Sequence, residues 1–257
     1  MTTLDSEKGR FGIVQVADSL DARILMIGPQ VQGAVWLEAG QPTSYPESRY
    51  CCGLLAIASQ SKNRRGLIAG LGSGAGIVGL LAANLDITLD VVEIDPVVVS
   101  LALRWFPALR SAIDNRRLVI HTQPFESFEA PVERFDFCVL DAYAGSNNLA
   151  LAPEASEVAC SCARDLWVNF IGQPTGDQRY DRLLAEMRRH GADPTGYGQA
   201  IDPRLLELRG PRNLIITSAQ LDLDQMDAFD PFPTAGPLGE RSTLQYRDFC
   251  ATWITRA

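Results

Sequence analysis

From residue 66 to about 219 the chain alternates short, continuous apolar runs with segments of helical period. The runs at 66–70, 88–93, 117–121, 135–140, 165–171 and 212–218 lack the apolar–polar alternation of a half-solvated strand. They read as strands of a parallel sheet covered by helices on both faces. Helical spacing falls at 76–84, 96–105, 153–162 and 177–190, between those runs. Such alternation predicts an α/β, doubly wound, Rossmann-like sheet. Upstream, β-branched runs at 11–16, 23–27 and 31–37 are separated by turn residues and predict a small antiparallel β meander. A helix over 48–59 is expected to start from a Ser48 cap with Leu54, Leu55 and Ile57 inward. Proline and glycine interrupt any period over 191–210. The tail from Asp222 is acidic, carries Pro231, Pro233 and Pro237, and is expected to lie along the surface or move freely. Three regions follow: 1–45, the meander; 46–220, the Rossmann-like domain; and 221–257, the tail.

Composition narrows the functions open to such a sheet. A formal charge of −8 and a pI near 4.8 argue against a nucleic-acid surface, which needs clustered Lys and Arg. The densest basic runs, Lys62–Arg65 and Arg188–His190, read as solvated ends. Six cysteines include no CxxC pair and no zinc spacing, so free thiols in a reducing cytosol and no metal are expected. No eighteen-residue apolar run and no signal-peptide core occur, which makes a cytoplasmic chain without a membrane partner the expectation.

Candidate chemistry concentrates at three strand ends. Gly66-Leu-Ile-Ala-Gly-Leu-Gly-Ser-Gly-Ala-Gly76 is a strand breaking into alternating glycines, and Gly70, Gly72, Gly74 and Gly76 let backbone approach a ligand closely. Glu93 ends the next strand, where a carboxylate accepts both hydroxyls of a ribose. Asp95-Pro96 suits a helix cap with Pro in the first turn. Asp141 follows the apolar run 135–140 and is placed over the crevice as a base or a grip for a cation, with Tyr143 beside it. Neither His121 nor His190 sits in a nucleophile motif, which disfavours histidine-based hydrolysis.

Over residues 11–219 the chain resembles the spermidine synthase family within the class I S-adenosylmethionine-dependent transferases. The resemblance is carried by Val31-Gln32-Gly33, Tyr45–Tyr50, the glycine loop, Val92-Glu93-Ile94-Asp95-Pro96, Arg104-Trp-Phe-Pro107, Arg117–His121 and Leu140-Asp141-Ala-Tyr. It implies the class I methyltransferase fold and a donor site built from Gln32, Tyr50, Gly70, Gly72, Ser73, Gly74, Gly76, Glu93, Asp95 and Pro124. Asp141 and Tyr143 would then be the catalytic pair. Where aminopropyltransferases of the family carry acids, this chain has Ser73, Pro124 and Ala144. Ser73 removes repulsion against a donor that keeps its carboxylate, so methyl transfer from S-adenosylmethionine to a small amine or hydroxyl acceptor is the first expectation. Aminopropyl or aminocarboxypropyl transfer, the former from decarboxylated S-adenosylmethionine and either releasing methylthioadenosine, is the second. A non-catalytic nucleoside-binding protein is the third. The edges of the meander suggest a homodimer.

Overall fold

The computed structural model describes residues 1–60, 62–144, 147–148, 153–173, 176–200, 212–233 and 236–255. Five antiparallel strands pair in chain order: β1 (Thr2–Gly9), β2 (Gly12–Asp18), β3 (Ala22–Ile27), β4 (Gln30–Glu38) and β5 (Gln41–Pro46). The meander predicted over 11–37 is thus flanked by two further strands. β1 is polar apart from Leu4, and partners outside the meander hold it: Asp5 accepts from the Trp105 indole at 2.9 Å and pairs with Arg104 at 2.7 Å. β5 contains Pro42 and Pro46, which an edge strand tolerates because it has no outer ladder to complete.

Helices α1 (Arg49–Gly53) and α2 (Leu55–Ser59) then lead into the second sheet. Ser48 caps α1 by accepting from the Cys51 amide at 3.2 Å, as the sequence suggests, but the segment breaks at Leu54. The alternating layer follows: β6 (Arg65–Ala69), α3 (Ala75–Ala83), β7 (Thr88–Glu93), α4 (Pro96–Trp105), α5 (Pro107–Asp114), β8 (Leu118–Thr122) and β9 (Phe135–Leu140). A short hairpin, β10 (Tyr143–Ala144) with β11 (Asn147–Asn148), precedes α6 (Pro153–Cys162), β12 (Ala163–Gly172) and α7 (Gln178–Arg189). Last come β13 (Gly196–Gln199), β14 (Arg212–Thr217), α8 (Leu223–Ala228), α9 (Pro237–Cys250) and β15 (Ile254–Thr255).

The larger sheet runs β15-β13-β14-β12-β9-β6-β7-β8. β12, β9, β6, β7 and β8 are parallel, whereas β14 and β13 add antiparallel pairings at one side. The α/β doubly wound expectation holds for the parallel part. The span 191–210 contributes β13, and residues 201–210 lie outside the described residues.

The largest correction concerns the tail. Rather than lying loose, it supplies α9, whose Tyr246 and Phe249 are fully buried. Phe249 fills the space that a side chain at Gly53 of α1 would occupy, Ser242 donates to the Pro46 carbonyl at 2.8 Å, and Asp248 pairs with Arg49 at 3.3 Å. Acidic and proline residues masked an amphipathic helix whose inward positions are four and three residues apart, the spacing of one helical face.

Candidate functional site

The carboxyl ends of β6, β7, β9 and β12 and the turn after β8 face β4 and the β1–β2 turn, enclosing a cavity of about 700 Å³. Ligands sit at this edge of an open α/β sheet because strand-end backbone groups and loop side chains converge there. Gly70 and Gly72 both line it in left-handed backbone conformation, with φ of 102° and 53°. A side chain at Gly70 would strike the Asp141 carbonyl, and one at Gly72 would lie 2.6 Å from the Gln32 carbonyl. The loop is therefore pressed between β9 and β4, and only glycine fits.

The remaining loop positions do other work. Gly74 stands at the start of α3 with its α-carbon against Leu109, and Gly76 faces Leu54 inside the helix. Ser73 is buried beneath Gly33, and its hydroxyl accepts from the Ala75 amide at 3.2 Å. None of these three borders the cavity. The loop turns position 73 toward Gly33 of the meander, which itself borders the cavity.

Glu93 ends β7 and braces the glycine loop. Its two oxygens accept from the Leu71 and Asp95 amides, each at 2.9 Å. Burial raises its pKa, and those backbone donors offset the effect in part. Asp95 borders the cavity too, yet both its oxygens are occupied: one caps α4 through Val97 N at 2.9 Å, the other holds Arg10 N at 2.6 Å. It ties the β1–β2 turn to the main sheet while capping α4. Asp95→Ala is expected to cost about 1–3 kcal/mol of stability in urea unfolding, the scale of a lost cap plus a charge-assisted bond; a change under about 0.5 kcal/mol would contradict that role.

Gln32 reaches the cavity through an irregularity of β4. Leu25 pairs with Gly33 and Met26 with Val31, so Gln32 is the extra residue of a bulge and is re-aimed over the opening. Pro124 does not line the cavity; it precedes the short 3-10 turn Phe125–Ser127, while its neighbours Gln123, Phe125 and Glu126 face in. The polar side chains bordering the cavity at that end are therefore Gln123 and Glu126, which the motif spacing does not reveal.

Asp141 follows β9 directly. Asn169 of β12 donates to it at 2.7 Å, and the Tyr50 phenol of α1 lies near enough to favour its ionised form. Burial pushes its carboxyl up to about 6, and those two neighbours moderate the rise. Cys51, in the same wall, is pushed up to about 12 by burial and stays a neutral thiol. The side chain of Tyr143 lies outside the described residues. Asn169 interrupts the apolar run of β12, and that single polar residue was the available signal for it.

No protein-family model matches the chain, and no curated protein matches its sequence. Solved structures do match. A probable spermidine synthase from Corynebacterium glutamicum ATCC 13032 superposes with a TM-score of 0.67 at 18% identity, covering 90% of this chain and 88% of its own. Spermidine synthase from Thermotoga maritima gives 0.63 at 12% identity, over 89% of this chain and 79% of its own. The chain has the spermidine synthase fold. A third structure, a spermidine synthase in complex with the transition-state analogue AdoDATO, gives 0.62 at 12% identity over 89% and 78% of the two chains. The cavity is strongly acidic. Its ionisable lining among the described residues consists of Glu93, Asp95, Glu126, Asp141 and the thiol of Cys51, with Tyr50, and includes no Lys, Arg or His.

Proposed function

We propose that the chain is a transferase that moves the aminopropyl group of decarboxylated S-adenosylmethionine to a primary amine and releases methylthioadenosine. The observation that carries this reading is the acid-lined cavity without a basic side chain. A donor bearing both a sulfonium and an ammonium complements such a lining. A donor that keeps its carboxylate brings a like charge instead, and like charges about 5 Å apart cost roughly 3 kcal/mol at an effective dielectric constant of about 20.

The residues divide the work as follows. Glu93 accepts the ribose hydroxyls, and the backbone at Gly70 and Gly72 lets the donor approach without side-chain interference. Gln123 and Glu126 present acceptors and an amide to the base. The sulfonium supplies the leaving group: the acceptor nitrogen forms a bond to the adjacent carbon as the carbon–sulfur bond breaks, and its electron pair stays on sulfur. Asp141 takes the proton that the amine gives up, with Asn169 and Tyr50 fixing the carboxylate. Alignment supplies most of the acceleration for such a displacement.

Mass spectrometry of the nucleoside formed with each donor tests the reading. Methylthioadenosine from the decarboxylated donor is expected, together with binding of that donor at least about tenfold tighter than S-adenosylmethionine. Release of S-adenosylhomocysteine from S-adenosylmethionine would overturn it in favour of methyl transfer.

A further inference from the structure

Across the sheet the cavity changes character. On the β7 and β8 side lie Glu93, Asp95 and Glu126. On the other side, beyond β9, the described lining residues of β12 and β14 are Asn169, Ile171 and Asn213, none of which is charged. Asp141, at the end of β9, stands between the two halves.

Strand register turns these residues into a shelf. Leu140 pairs with Val168, so Asp141 is level with Asn169, consistent with the 2.7 Å bond between them. Ile171 lies two residues along β12 on the same face as Asn169, and Asn213 of β14 is its cross-strand partner. The shelf leads away from the glycine loop across two strand spacings, roughly 10 Å. Ile171 is 43% exposed, so its outer end meets solvent. An acceptor whose amine sits at Asp141, opposite the donor, lays its remaining length along this shelf.

We infer that the acceptor is a primary amine with an uncharged, hydrogen-bonding tail, an amino alcohol or amino amide, and not a diamine. The inference rests on the amine acceptor of the proposed reaction. Asp141 offers one carboxylate for one ammonium, and the amide of Asn213 presents both a donor and an acceptor to a hydroxyl or amide. A second ammonium there would meet no carboxylate among the described residues of β12 and β14.

Two probes differ only at the tail: 4-amino-1-butanol and 1,4-diaminobutane. Calorimetry on the full chain saturated with methylthioadenosine is expected to show the amino alcohol binding at least about tenfold tighter, and its kcat/KM with the decarboxylated donor should be higher by a similar factor. Asn213→Asp should move the ratio toward the diamine by about tenfold or more; Ile171→Asp serves if that variant no longer binds methylthioadenosine. Preference of the natural chain for the diamine, equal binding of the two amines, binding of neither, or a ratio unmoved by both aspartate variants would each overturn the inference. The by-product assay separates this from the reaction itself: methylthioadenosine formation with a diamine preference sinks the acceptor assignment alone.

Discussion

Asp141→Asn is expected to lower kcat/KM by about 10²-fold or more while raising the thermal midpoint of the protein. Loss of a positioned base accounts for the first effect. The second follows from the carboxyl's folded pKa of about 6 against an ordinary value of 3.8. Raised in the folded state, the group favours folding when protonated, and that contribution is complete below about pH 4. It is lost as pH rises to about 6, so at neutral pH the ionised carboxylate costs the fold about 1–3 kcal/mol. Asparagine keeps an oxygen for Asn169 and removes the charge. The stabilisation should therefore appear in unfolding curves at pH 7–8 and vanish near pH 4. In the natural protein kcat/KM should fall about tenfold for each pH unit below about 6, as the base becomes protonated. Unchanged turnover in the variant would reduce Asp141 to a strand-end turn residue, and an unchanged midpoint would deny its burial cost.

Glu93→Ala is expected to weaken donor binding by about 10- to 100-fold, the range for removing a buried hydrogen-bonded acid. The effect has two sources. A ribose loses its acceptor, and the Leu71 and Asp95 amides lose theirs, which frees the loop that Gly70 and Gly72 shape. Glu93→Gln separates the two. Its amide oxygen still satisfies one backbone N–H, while its NH2 faces the other and repels it. Calorimetry with methylthioadenosine should place the glutamine variant between the natural protein and the alanine variant. Equal affinity in all three would remove Glu93 from the site.

The sequence made the inner strands of the sheet legible to within a residue or two because they are buried on both faces and carry one unbroken apolar signal. β1 and α9 were not legible, since their burial depends on partners far along the chain. β1 is polar and held by Trp105 and Arg104, while α9 is acidic and held by α1. In the cavity a similar division applies. Glu93 and Asp141 follow apolar strands, so their place at the sheet edge could be read directly. Inside the glycine loop, spacing tells which residues are present but not which way each turns. Positive φ at Gly70, Gly72 and Gly74 alternates with ordinary backbone at Leu71 and Ser73, so Gly70 and Gly72 border the cavity while Ser73 faces β4. Pro124 shows the same limit, because the inward side chains are those of Gln123, Phe125 and Glu126. Asn213 offered no signal at all; only the register of β14 against Ile171 brings it near.

The clasp between α9 and α1 also sets an order of events at the ribosome. α1 carries Tyr50, beside Asp141 in the cavity wall, but α9, the helix that braces α1, is made after every strand of the cavity. A nascent chain that has completed β14 holds those strands and still lacks the support behind one wall. Domains assemble as their contacts become available during synthesis. A chain released before α9 would therefore be a folded sheet with one wall of the cavity unbraced.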